Sequence, residues 1–399
     1  MLVAETSDQE KIYLLDSNWT KDRLKQLKNN VQFRCPACQN PVQLKMGDTR
    51  IPHFAHLKSV SCSVDSENET LYHMEGKMQL FRWLKNQGIS CELETYFPSI
   101  KQRADLFLSS QTEKYAIEYQ CSKIPYSLMK SRTEGYENES MIPIWILGGN
   151  RLKRVKTFEF RFNEFLWLFI RFTSKGKPFM IFYCSKLKHF MILETIVPFS
   201  KQTVFANIKL FHPFDISFQD CLNPKQVEWN ISTYQKQWFL KLQRYRQTPK
   251  VHLNKQEKVL QSMLYETYGI PLTHIPSEAF IPLPNGWKID EAVYVWQAVI
   301  LYAISTIPLK ETFHLQRVLW LIKRHFGSLS VRVNRFHSPF LVQEVVQSYL
   351  DRLVKLETVE KIGRDSYQRV KEQLFTNNLE EILSRDRALE VVFRLKRKV

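Results

Sequence analysis

The 399-residue chain has no apolar run long enough to cross a bilayer: its densest, EFLWLFIRF at 164–172, is less than half of the roughly 20 residues a spanning helix needs. No charged-then-apolar leader opens it, so a cytoplasmic protein without a membrane partner is expected. It has no GxxxxGK[ST] loop, and ATP hydrolysis is not expected. Its cysteines number 7, an odd count that argues against a disulfide scaffold and for metal ligation or buried thiols. Internal repeats and low-complexity tracts are missing as well. Acid is in short supply: 40 Asp and Glu face 57 Lys and Arg, a net charge of +17. A surface so basic favours an anionic partner such as nucleic acid.

The excess is uneven. Residues 151–260 hold about twenty Lys or Arg against about seven Asp or Glu, a candidate electrostatic footprint. Arg151, Lys153, Arg154 and Lys156 open it, and Lys241, Arg244, Arg246, Lys250, Lys255 and Lys258 lie further on, interleaved with Trp238, Phe239 and Tyr245. Aromatics among bases suit stacking on single-stranded nucleic acid, although a solvated helix face with core aromatics reads the same way.

Near the start, FRCPACQNPVQLKMGDTRIPHFAHLKSVSCS places Cys35, Cys38, His53, His56 and Cys62 close together. Zinc takes four such ligands in a tetrahedron, and a C-x2-C knuckle facing a later His or Cys pair meets that need. If HFAH is a strand, His53 and His56 face opposite ways and only one joins Cys35, Cys38 and Cys62. Pro52 makes the strand irregular, so a turn bringing in both histidines while excluding Cys62 stays open. Four protein ligands imply a structural site.

Further on, Glu69, His73 and Lys77 fall four apart and share a helix face, with Leu80, Phe81 and Leu84 beside them. Asp105 then opens the apolar run ADLFL, the turn SSQTEK follows, and YAIEYQ returns with Glu118 and Gln120 on one side of a strand. On such a hairpin Asp105 and Glu118 can meet. Two carboxylates in contact repel each other, and a divalent cation, Mg²⁺ or Mn²⁺, relieves that repulsion and binds a scissile phosphate. The helix SKIPYSLMKSRTEGYEN, with Arg132 and Tyr136 on one face, and the buried strand MIPIWIL complete an order of helix, strand, strand, helix, strand. That order, with D…E-x-Q, resembles the PD-(D/E)XK nuclease core. Gln120 stands where the motif has Lys; Lys77 or Lys123 could occupy its space, and His73 could act as acid or base.

The resemblance narrows further. The C-x2-C knuckle, HFAH, the later Cys, E-x3-H-x3-K, RADLF, IEYQCS, SR-x3-Y and WIL together resemble the competence protein CoiA family, closely over residues 25–150 or so. The resemblance implies Asp105, Glu118 and Gln120 as a nuclease-type site, with Glu69, His73 and Lys77 on the adjoining helix. It implies a cytosolic protein of a naturally transformable Gram-positive bacterium that processes or recombines incoming single-stranded DNA, branched DNA being a further candidate, alongside the recombinase RecA. In the hydrolytic version Asp105 and Glu118 hold Mg²⁺, Gln120 orients the water and Lys77 offsets charge. In the rival version the nuclease fold is a non-catalytic scaffold for a DNA-binding mediator.

The expected architecture is a zinc-finger-like module at 1–66, an α/β nuclease-like core at 67–155, an α/β extension at 156–222 and a basic, mainly helical domain at 223–399. In the extension, FNEFLWLFIRF reads as a buried helix and KPFMIFYCSKLKHFMILETIVPF as a hairpin turning at SKLK. The last domain carries a helix leading into a hairpin at IGRDS, a winged-helix-like pattern.

Overall fold

The computed structural model describes all residues except 16–18, 48–50, 58–61, 63–68, 226–232, 333–340 and 396–399. Two compact units emerge. The first comprises Met1–Leu152, Met180–Ile192 and Lys209–Lys225; the second comprises Lys153–Phe179, Leu193–Ile208 and Gln226–Val399. No helix among the described residues is long and apolar enough to cross a membrane.

The first unit opens with β1 (Val3–Thr6), β2 (Lys11–Tyr13), α1 (Lys21–Asn30), β3 (Phe33–Arg34), β4 (Pro41–Lys45) and β5 (His53–His56). The strands form an antiparallel sheet ordered β2-β1-β3-β4-β5. Thr20 caps α1, its hydroxyl accepting from the Arg23 N–H at 3.2 Å. Leu24, Phe33, Val42, Leu44 and Phe54 make a small core. A core this size leaves room for a metal staple to add stability.

Next come α2 (Leu71–Asn86), β6 (Cys91–Phe97), β7 (Gln102–Ser109), β8 (Lys114–Gln120), α3 (Tyr126–Asn138) and β9 (Ile142–Gly148). Strands β6, β7 and β8 are antiparallel neighbours, whereas β9 returns parallel to β8 after α3. The crossover helix is what a parallel return needs. In this unit the sheet continues past β9 with residues 180–184 and then 189–192. Strand β8 is buried from Tyr115 to Gln120, as a central strand covered on both faces must be.

In the second unit Val293–Ser305 is buried at nearly every position, a helix apolar all round at the middle of its core. Around it pack Gln235–Gln247, Lys255–Tyr268, Leu315–His325 and Leu341–Val354. The order from Val293–Ser305 is helix, strand Thr312–His314, helix, helix, then the hairpin Val359–Lys361 and Ser366–Arg369, whose three strands form one antiparallel sheet. That is the chain order of a winged helix. Arg246 ties the helix Gln235–Gln247 to Leu379–Leu395 through Asp386, with two contacts of 3.0 Å.

One expectation fails here, and one open alternative is decided. The run FNEFLWLFIRF is not one helix: Glu164–Trp167 makes a single turn, and Arg171–Phe172 pairs as a strand with Phe179 and Pro178. Its aromatic and β-branched side chains favour extended backbone once a strand partner is at hand. Trp238 and Phe239 are core residues, and the Trp238 indole donates to the Phe280 carbonyl at 2.9 Å. They offer no stacking surface. Lys241 and Lys250 are also spent, on Glu159 at 2.7 Å and Glu257 at 2.6 Å, whereas Lys153, Lys156, Lys255 and Lys258 stay exposed.

Candidate functional site

The helix α2 lies on β8 because Gly76 allows it. A Cβ there would stand 2.0 Å from the Tyr119 ring, so only glycine admits this approach. The Tyr119 hydroxyl donates to the Tyr183 carbonyl at 2.9 Å, which fixes the ring. His73, about one turn before Gly76, and Lys77, directly after it, thereby face the point where β7 and β8 part.

That point is Asp105. The ladder between β7 and β8 is regular as far as Leu106↔Ile117. Beyond it the Tyr119 N–H donates to Asp105 Oδ2 at 2.9 Å, a side chain taking the place of a strand partner. The β6–β7 ladder likewise skips from Leu93↔Leu106 to Thr95↔Ala104. Between them Glu94 has a left-handed backbone, φ 54°, a conformation that costs a non-glycine residue about 1 kcal/mol or more.

Asp105 also meets His73 Nε2 through Oδ2 at 3.2 Å and Lys77 Nζ through Oδ1 at 3.4 Å. Lys77 is 0% exposed and donates to Glu69 and Glu94, each at 2.5 Å. Glu69 is further met by the Met1 amine at 2.9 Å and by Arg103 at 3.5 Å. Burial alone would raise the Asp105 carboxyl, but His73 first and then Lys77 outweigh it and hold the group well below the usual carboxylate range. Lys77 is pushed above the ordinary lysine value by its three carboxylates despite its burial.

Glu118 points to the opposite face of β8 from Tyr119 and meets α3. Its Oε1 accepts from Arg132 Nη2 at 2.6 Å and from the Tyr136 hydroxyl. Arg132 also donates to the Arg103 carbonyl at 3.2 Å. Burial pushes the Glu118 carboxyl up to about 7; Arg132 opposes that shift and the charge on Asp105 adds to it. The Gln120 amide donates to the Ser122 carbonyl and hydroxyl, both at 3.1 Å, and Lys123 is exposed.

The structure therefore gathers Glu69, His73, Lys77 and Asp105 into one network and places Glu118 in a second, with Arg132 and Tyr136. Glu94 and Arg103 belong to the first network, and no local pattern announces them: Glu94 is one of two acids in CELETYF, and only its left-handed backbone turns it inward. For a divalent cation, Asp105 and Glu118 supply hard oxygen donors, but each already holds a protein cation.

In the small N-terminal sheet, Cys35, Cys38, His56 and Cys62 converge, their ligand atoms all within 4.8 Å of one another. Cys38 Sγ lies 3.3 Å from His56 Nε2, close to the separation two ligands of one zinc ion adopt. Three thiols and one imidazole are a zinc donor set and could hold that ion. His53, counted among the candidate ligands, does not join it. It pairs with Lys45 at the far end of β5, its Nδ1 lies 2.9 Å from the Ile51 carbonyl, and strand alternation turns it away from His56.

Comparison with known proteins agrees across the chain's length. Three family models match in succession: the competence protein CoiA N-terminal domain at 16–65, its nuclease-like domain at 69–226 and its C-terminal domain at 234–383. The curated competence protein CoiA of Bacillus subtilis (strain 168) is 29% identical over 358 residues, 90% of this chain and 95% of that protein. The chain belongs to the competence protein CoiA family, and with that family goes a competence-associated role.

Proposed function

We propose that the protein serves competence by binding incoming single-stranded DNA on a core of PD-(D/E)XK type and delivering it to a RecA-class recombinase, without cutting it. The observation that carries this reading is the pairing of both acids with protein cations: Asp105 with Lys77 and His73, Glu118 with Arg132. Repulsion between carboxylates, which a divalent cation would otherwise relieve, is largely answered from within the chain. Lys77 is enclosed by carboxylates and cannot reach a phosphate, and the amide at Gln120 carries no positive charge to stabilise one. Exposed Lys153, Lys156, Lys255 and Lys258 remain for phosphate contacts.

A second reading is hydrolytic, and the raised Glu118 carboxyl favours it, since Asp105 contributes to that rise. In it Asp105 and Glu118, with His73 beside them, would hold Mg²⁺ or Mn²⁺, whose chemistry there is to acidify a water. Arg132 would then have to leave Glu118.

The binding half of the proposal is tested by titrating labelled single-stranded DNA with the purified protein over a salt series. Affinity should fall steeply as salt rises, because each Lys or Arg contact to phosphate releases counterions. An affinity insensitive to salt would sink it.

A further inference from the structure

Away from the carboxylates, α2 forms one wall of a groove of about 480 Å³ within the first unit. Gln79, Arg82, Asn86, Lys188, His212 and Phe214 line it, among others. Phe214 is the unusual member, for it is 81% exposed. A large aromatic held out in water costs hydrophobic free energy that packing would recover. The short turn Pro213–Asp215 keeps it there: the Asp215 N–H donates to the His212 carbonyl at 2.8 Å, and proline at the first position fixes the backbone. The His212 ring lies against Phe214 at 5.1 Å between centroids, and His189 meets His212 edge-on at 5.5 Å.

The charged side chains that line the groove have one sign. Arg82 and Lys188 are exposed in the lining, Lys186 is exposed on the same hairpin turn, and no carboxylate is among the described residues that line the groove. Asp215 sits outside the lining, and Asp220 is bound to Ser217 at the cap of Phe218–Leu222. Flat aromatic surface beside positive charge, with the Asn86 amide exposed between, matches an unpaired base and its phosphate.

The groove also adjoins the carboxylate networks. The Tyr183 hydroxyl donates to Gln79 at 2.8 Å, while the Tyr183 carbonyl accepts from Tyr119, whose own N–H is bound by Asp105. Along α2, His73 and Arg82 are nine residues apart, about 13 Å of helix.

We infer that this groove is a docking site for single-stranded DNA, with Phe214 and His212 stacking on a base and Arg82 and Lys188 holding phosphate. The inference rests on the single-stranded DNA reading above and assigns it a place. It is tested by fluorescence anisotropy of a labelled oligothymidylate with the full chain and with F214A, F214W and R82A. F214A should weaken binding roughly 5- to 150-fold, the range of one lost base stack, and F214W should restore it. R82A should lower the slope of log affinity against log salt by about 0.7, one phosphate contact. A duplex of the same length should lose less than twofold in F214A, its bases being already stacked. If the wild type binds oligothymidylate and F214A binds equally well, the groove is not the site, whereas single-stranded binding stands. If the wild type binds none at low salt, the groove inference and the reading beneath it fall together.

Discussion

Arg132 reaches across from α3 to lie 2.6 Å from the Glu118 carboxylate, so the acid at the centre of the nuclease-like signature is held by a guanidinium from its own chain. The pairing is incomplete compensation. Burial still leaves the Glu118 carboxyl near 7, well above the unfolded glutamate value of about 4.3.

A pH dependence follows with a definite sign. Between those two values folded Glu118 carries a proton that the unfolded chain has lost, so its contribution to stability is full below the unfolded value and disappears as pH rises through about 7. Asp105 and Glu69 are held low and are ionised in both states across that window. Chemical unfolding from pH 5 to 8 should show the wild type losing stability relative to Glu118→Gln, which keeps an acceptor for Arg132 and Tyr136 but does not titrate. Parallel curves for the two proteins would show that Glu118 is ionised throughout.

Gly76 should be irreplaceable in spite of helix propensity. Alanine in a helix interior is worth about 1 kcal/mol over glycine, yet here its methyl would collide with the Tyr119 ring. Overpacking a fixed neighbour costs about 1–3 kcal/mol. Gly76→Ala is therefore expected to lower the melting temperature, and a rise would mean that α2 and β8 are less tightly apposed than described.

Some of this was legible in the residues and some was not. The spacing of His73 and Lys77 does turn both toward Asp105 from one face of α2, whereas Glu69, expected on the same helix face, precedes the Thr70 cap and meets Lys77 from outside the helix; Arg132 and Tyr136 do share a face. What the spacing could not convey is that the face closes on Glu118, or that Glu94 swings into Lys77 through a left-handed backbone. Both depend on where two strands part, a tertiary event without local periodicity. Burial misled in the other direction: Trp238 and Phe239 alternate with bases as a stacking surface would, but the same spacing is the apolar stripe of an amphipathic helix. Phe214, exposed on its turn, drew no notice in the sequence because an isolated aromatic beside proline looks like any loop.

Zinc content should separate the two histidines. The wild type is expected to carry one zinc per chain, His53→Ala to keep it and His56→Ala to lose most of it. Because metal binding and folding of so small a module are coupled, chelation should also lower the unfolding temperature of the first unit. Equal retention in both variants would remove His56 from the ligand set.

The central claim is that the chain's own cations have taken over the carboxylate pair. Incubation of the purified protein with single-stranded, duplex and branched DNA in Mg²⁺ or Mn²⁺, with Glu118→Ala alongside, tests it most directly. The account predicts DNA that is bound but intact with both proteins. Cleavage that requires the metal and vanishes in Glu118→Ala would contradict it and establish a nuclease in which Arg132 gives way.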